Sequence, residues 1–332
     1  MKKKLTISLV LILIAISAYY YYNKDNKGDD TKKEVVIGYP HLRIALPVIV
    51  AYHNGYFEEE GLDVKLKSYI TAQPMMDAIV SGKIEMGGFC ALPITFGAMA
   101  RTNENLFFIG GMFEDDDHII SELLVKDTTQ IKSIPDLKGK KIGILPTRAY
   151  EVWIQDILLN SSINPKDVII SYVKPNMQAD ALNSGLVNAL FTNDPAATIS
   201  KKTINAVPLT NEALVPKVTK MNPFYFGSFN VRKDFADENP ETVKKVTKAL
   251  NKAIDFIANN QNEAKKIMAK VDPKRNVTYL PDPFTKIVEY FPNSLFMKSN
   301  EVSNDKLEQI KNYYLKKKIL PKNIDVKNLQ YK

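Results

Sequence analysis

One cysteine, Cys90, in 332 residues leaves no partner for an intrachain disulfide and excludes a cysteine-rich zinc site or a dithiol redox pair. Arginine is also scarce: Arg43, Arg101, Arg148, Arg232 and Arg275 are the only arginines among 45 basic residues. The lysines that make up the rest are spread evenly, as on a solvated surface. No nucleic-acid motif accompanies them, so the formal net charge of +8 does not argue for DNA or RNA as a partner. No solenoid-type repeat occurs, and no low-complexity segment follows residue 33. Calcium-loop spacing is missing too. The run Glu114-Asp-Asp-Asp-His118 sets its acids side by side, whereas a calcium loop spaces its ligands and places a glycine at the sharp turn. That run reads as a solvated turn, and neither a metal nor a cofactor is expected.

What is present is ordinary globular composition, 45% hydrophobic and 25% charged, in a chain long enough for two domains of common size. Lys2 to Lys4 precede an apolar run from Leu5 to Tyr22, followed by a polar stretch from Asn23 to Lys33. A basic start and apolar core read as a signal peptide or an N-terminal membrane anchor over residues 1–22, with a polar linker over 23–33. The run is long enough to span a bilayer as a helix, with Tyr19 to Tyr22 at the outer interface. The early lysines place everything after Tyr22 outside the cytoplasm. Ala15-Ile-Ser17 is a tolerable cleavage site, so both cleaved and anchored forms stay open, and no cysteine follows the run to carry a lipid.

The following chain is organised around Ala51-Tyr-His-Asn-Gly-Tyr-Phe-Glu-Glu-Glu-Gly-Leu-Asp-Val64. A strand over 35–39 and a helix over 42–53 lead into it. Gly55 stands where a helix C-cap needs the left-handed conformation, and a second strand follows over 62–66. This βαβ beginning repeats: a helix over 74–81, a strand over 84–88, a helix over 91–101, then strands over 105–113 and 119–125. A second series has strands over 141–145, 168–173 and 189–192 and helices over 147–159 and 177–184. Pro195 sits in the first turn of a further helix. A strand over 226–231 follows, then helix over 239–269, where Val243, Val246, Ala249, Leu250, Ile254 and Ile257 recur at helical spacing, and a last helix over 304–317.

The Gly-Tyr-Phe-Glu-Glu-Glu-Gly-Leu-Asp-Val run resembles the opening of the sulfonate, nitrate and thiamine-precursor group of ABC-transporter substrate-binding proteins. Ala78-Ile-Val-Ser-Gly-Lys-Ile-Glu85, Ile134-Pro-Asp-Leu-Lys-Gly-Lys-Lys-Ile-Gly143, Asn193-Asp-Pro195 and Val231-Arg-Lys-Asp-Phe235 follow in the group's order. The resemblance implies an α/β chain with the two-lobed type II periplasmic-binding-protein fold and a ligand cleft between lobes. Residues 34–119 would form the first part of lobe 1, 120–226 lobe 2, and 227–332 the return to lobe 1 with C-terminal helices. Hinges are expected near His118–Ser121 and Asn222–Phe226. The implied activity is capture of a small organic ligand, anionic or heteroaromatic, by a monomer that delivers it to ABC permease subunits. Two rival readings are a pyrimidine-synthesis enzyme of thiamine biosynthesis on the same fold and a ligand-sensing ectodomain. The second would need a cytoplasmic output domain, for which the residues before the apolar run leave no room.

In open parallel sheets ligands gather beyond the C-terminal ends of strands, which selects four loops: 39–43, 87–91, 146–148 and 193–194. Thr147 is a plausible N-cap beside which Arg148 would hold an anion bidentately, with an ordinary cap and a solvated arginine as the alternative. Arg43 is a similar candidate. Asp194, with Asn193, either accepts hydrogen bonds from a ligand N–H or simply caps a helix. Tyr39, Phe89 and Tyr225, with Gly88 beside them, would enclose a flat or apolar moiety, or pack in the core. His41 would titrate near neutral pH or donate to a ligand. Cys90 near His41 raises nucleophilic chemistry, without a third orienting group, and reads better as a small loop residue. No catalytic residue is assigned.

Overall fold

β1 (Glu34–Pro40) is the first element of the described residues, and its apolar residues are buried from Ile37 onward. The computed structural model describes residues 34–102, 105–126, 131–272, 277–281 and 284–331; the apolar leader and the linker before Glu34 lie outside them. α1 (Leu46–His53) buries every residue from Leu46 to Tyr52, and a helix that is apolar all round must be covered on all sides. Gly55, at φ +77°, turns the chain into α2 (Tyr56–Glu59), a conformation that only a residue without Cβ takes freely. β2 (Asp63–Tyr69), α3 (Ala72–Val80), β3 (Met86–Ala91), α4 (Leu92–Thr102) and β4 (Leu106–Glu114) follow.

Residues 115–121 then carry the chain into a second sheet. Its elements are β5 (Glu122–Val125), β6 (Lys141–Ile144), α5 (Arg148–Asn160), β7 (Ile169–Tyr172), α6 (Gln178–Asn183), β8 (Ala189–Thr192), α7 (Ala196–Thr203) and β9 (Val207–Pro208). After α8 (Leu214–Thr219), β10 (Phe224–Arg232) returns to the first sheet. α9 (Lys233–Glu238), α10 (Pro240–Asn259), α11 (Gln261–Ala269), the hairpin β11 (Val271–Asp272) and β12 (Val277–Thr278), β13 (Leu295–Lys298) and α12 (Asn304–Lys316) complete it. No helix among the described residues is long and apolar enough to cross a membrane.

The first sheet runs β13-β4-β10-β3-β1-β2 and the second β7-β6-β8-β5-β9. β1 and β3 pair in parallel, as do β6 with β7 and with β8. β10 lies antiparallel between β3 and β4. β1, β6 and β8 end at loops that lead into a helix or a helical turn, and β3 runs directly into α4.

Three expectations need correction. Residues 87–91, expected as the loop after a strand ending at Gly88, belong to β3. Helices pack flat on its glycines: a Cβ on Gly88 would meet Val48 Cγ2 at 2.3 Å, and one on Gly87 would meet Ile79 Cδ1 at 2.6 Å. The helix expected over 239–269 is broken at Asn260, where Asn259 and Asn260 donate their side-chain amides to Asp255 O (2.8 Å) and Phe256 O (3.0 Å). Asparagine competes in this way for carbonyls that the helix would otherwise use. β13 was not expected at all; it is short and pairs only with β4, so little sequence pattern announces it.

Candidate functional site

The loop after β1 is extended at Leu42 and then winds into a helical turn at Arg43–Ala45. That turn draws Arg43 inward, and the residue is buried. Its Nη2 donates to Ile119 O (3.0 Å) and its Nη1 to Pro292 O (3.2 Å). Nη1 also lies 3.5 Å from Asp194 Oδ2. Arg43 thus ties the end of β1 to the crossover before β5, to the segment before β13, and to the loop after β8. The Arg43–Asp194 pair joins the two sheets at the C-terminal ends of parallel strands, and both side chains are almost fully buried.

Asp194 is fixed by its own helix. Its Oδ1 accepts from Thr198 N (3.1 Å) and Thr198 Oγ1 (2.6 Å), while Oδ2 has no hydrogen-bond donor. The capping role weighed for this residue falls on Oδ1, while Oδ2 faces Arg43.

Glu114 was expected in a solvated turn. The structure instead buries it completely, as the last residue of β4 opposite Phe224 of β10. Its Oε1 accepts from Ile120 N (3.1 Å) and Ser121 N (2.9 Å), and its Oε2 has no hydrogen-bond donor. Burial pushes its carboxyl up to about 7, opposed by the two N–H donors and by Arg43. The acids that follow act separately: Asp115 pairs with His118 (2.8 Å) and Asp116 accepts from Ala213 N (2.8 Å). Among the described residues no group of three or more His, Cys, Asp and Glu side chains is placed to hold a metal.

Around this core stand Ser121, Tyr150 and Glu122. Tyr150 Oη lies 3.2 Å from Ser121 Oγ. Burial raises the Tyr150 hydroxyl far above its ordinary value. Burial also raises the Glu122 carboxyl, against the pull of Lys201 at 2.7 Å. Aromatic rings back the cluster, with Tyr150 5.1 Å from Phe191 and 5.2 Å from Trp153, which meets Phe224 edge-on. Sequence reasoning read Glu114 as part of a solvated turn and Ser121 only as a hinge residue, and it passed over Tyr150 and Trp153. The one signal for Glu114 was its position directly after the apolar run of β4, before the acids become a surface turn.

The other sequence candidates divide. Thr147 caps α5, accepting from Tyr150 N (3.3 Å). Arg148 is exposed and pairs with Glu151 at 2.8 Å, which is the solvated alternative. Tyr39 is buried at the end of β1 and its hydroxyl is pushed up to about 12 by burial, against a hydrogen bond with Ser68. His41 is half-buried, and loss of water lowers its pKa. Phe89 packs edge-on against Phe229 and Phe296, and Tyr225 stacks on Phe113 at 4.6 Å; both rings lie in the core of the first sheet. Gly88 lies under Val48. Cys90 is buried and its thiol is pushed up to about 12. The structure thus brings Arg43, Asn193 and Asp194 together, and does not add Arg148, Phe89 or Cys90 to them.

Residues 45–264 match the family model described as NMT1/THI5 like. The chain belongs to the NMT1/THI5-like family. A relative, a Bacillus subtilis protein named as aliphatic sulfonates-binding, is 24% identical over 340 aligned residues, covering 99% of this chain and 94% of its own. A 4-amino-5-hydroxymethyl-2-methylpyrimidine phosphate synthase of Saccharomyces cerevisiae is 23% identical over 261 residues, 76% of this chain and 74% of its own. The crystal structure of the periplasmic aliphatic sulphonate binding protein SsuA from Escherichia coli matches with a TM-score of 0.70 at 17% identity. It covers 90% of this chain and 98% of the other. NMT1/THI5-like membership and this likeness establish the two-lobed type II fold.

Proposed function

We propose that the chain is the solute-binding component of an ABC importer, working outside the cytoplasm. The single observation that carries this reading is the meeting of Arg43 and Asp194, one from each sheet, at strand ends where a small molecule would touch both lobes. The elements of the first sheet with their helices form one lobe and β5 through α8 the other, with hinges in the crossovers 115–121 and 220–223. A ligand that contacts both lobes favours the closed arrangement, which the permease subunits then recognise. The Bacillus and Escherichia relatives, named for binding aliphatic sulfonates, support a small organic ligand. The N-terminal segment tethers the monomer to the membrane or directs its export.

The yeast synthase favours a second reading, an enzyme of pyrimidine synthesis. Against it, Cys90 stays a neutral thiol in its buried position. A thermal-shift panel on the full chain separates the two, with sulfonates, carboxylates, pyrimidines and inorganic anions as compounds. Stabilisation grows with ligand concentration over Kd. A compound that raises the melting temperature dose-dependently and is recovered chemically unchanged supports solute binding. Consumption of the compound overturns it.

A further inference from the structure

The N-terminal ends of β6, β7 and β8 lie side by side, because β6 pairs in parallel with both neighbours. β5 runs the other way, so its last residue, Val125, meets Ala189 at the same end. This end of the second sheet is opposite the strand ends where Arg43 meets Asp194. Six lysines gather on it: Lys126, Lys132, Lys138, Lys140, Lys141 and Lys166. Hydrogen bonds knit them into one surface. Lys126 Nζ donates to Asn183 Oδ1 (2.7 Å), Asn188 N to Lys141 O (2.7 Å), and Ile169 N to Lys140 O (3.0 Å). Two acids stand at this end among the described residues. Asp136 accepts from the N–H groups of Lys132 and Ser133 (both 2.9 Å), and Asp167 lies 3.5 Å from Lys138. Lys140, Lys141 and Lys166 form no ion pair among the described residues. Lysines elsewhere are commonly paired, as Lys201 is with Glu122 (2.7 Å) and Lys248 with Glu60 (2.8 Å).

Large aliphatic side chains share this end. Leu159 closes α5, Ile169 starts β7 opposite Lys141, and Leu186 lies two residues before Asn188; they are 57%, 61% and 58% exposed. A protein interface concentrates aromatic residues and arginine and is depleted in lysine, which is not the chemistry here. A polyanion in water would use the lysines and leave the aliphatic side chains without a role. A layer of anionic lipid uses both, since lysines meet headgroup phosphates while aliphatic tips enter the boundary with the acyl chains. We propose that this end of the second lobe is a docking surface for a membrane rich in anionic lipid headgroups. The inference goes beyond solute binding and does not depend on it. Docking in this way leaves the opposite strand ends clear of the lipid.

The test places an environment-sensitive fluorophore on Ser184→Cys, beside Leu186, in the full chain, where buried Cys90 stays unlabelled. The probes are vesicles of equimolar phosphatidylglycerol and phosphatidylcholine, and vesicles of phosphatidylcholine alone. A blue shift is expected with the anionic vesicles, weakened by salt, and none with the neutral ones. Each lysine beside an anionic surface is worth roughly fivefold in partitioning, so Lys132→Gln, Lys140→Gln and Lys166→Gln together are expected to weaken it about a hundredfold. Ile169→Thr is expected to weaken it several-fold by removing apolar area. No shift with anionic vesicles, or an unchanged response in the lysine variant, overturns the proposal. Equal shifts with both vesicles also overturn it, because attachment through the apolar run before Glu34 would then suffice. So does an equal shift with soluble polyphosphate, which would make the partner a polyanion. If the lysine variant does not fold, the comparison of the two vesicles decides. The thermal-shift panel tests solute binding separately, so either reading can fail alone.

Discussion

Glu114 is a carboxylate enclosed by β4, β10 and the crossover, and its contribution to stability depends on pH. Burial raises its pKa from 4.5 to about 7, so between those values the folded chain holds a proton that the unfolded chain has released. The stability linked to it is fully present below about pH 4.5 and is lost as pH rises through about 7, a change of about 3 kcal/mol. Urea unfolding of the wild type and Glu114→Gln at pH 5.5 and pH 8 checks this. The amide keeps the acceptor for Ile120 and Ser121, so the variant is expected to lose most of the pH slope; equal slopes would refute the linkage. Arg43→Met tests the other half of the cluster. It strands Asp194 without a counterion and is expected to cost ~3–5 kcal/mol, as breaking a buried pair does, with part of the loss recovered on adding Asp194→Asn. Arg43 and Asp194 were legible in the sequence because both stand just after predicted parallel strands. Glu114 was not, since a run of four acids and a histidine reads as surface, and only the register of β4 against β10 shows that its first member points inward.

The elements were largely legible where periodicity was strong. α10 shows its stripe of Val243, Val246, Ala249, Leu250, Ile254 and Ile257, and every one of these is buried. β3 was misplaced because two adjacent glycines suggest a loop, whereas here they admit helices close to the sheet. Gly88→Ala is accordingly expected to destabilise by ~1–3 kcal/mol through overpacking against Val48. Val48→Ala in the same chain should recover part of that loss, a coupling that a double-mutant cycle measures. Additive effects of the two changes would mean that the contact does not limit the approach of α1 to β3.

At the scale of the molecule, two further ties join elements of different sheets. On α5, Asp156 accepts from Tyr313 Oη (2.9 Å) and pairs with Lys317, near the end of α12. On α7, Lys202 lies 3.3 Å from the centre of the Tyr290 ring. Asp156→Ala is expected to widen the spread of lobe separations in the absence of ligand. Spin labels at the exposed positions Lys166 and Lys244 would read it by electron–electron resonance, with buried Cys90 left unlabelled. An unchanged distance distribution would show that this tie does not hold the lobes together. The placing of β10 has a consequence for biogenesis. β10 fills the gap between β3 and β4, yet it is made only after the whole second sheet. A nascent chain therefore carries two apolar strands with open hydrogen-bonding edges for the whole of that interval, inviting pairing with other chains. Such a chain gains from a holdase during synthesis, and its first sheet closes late.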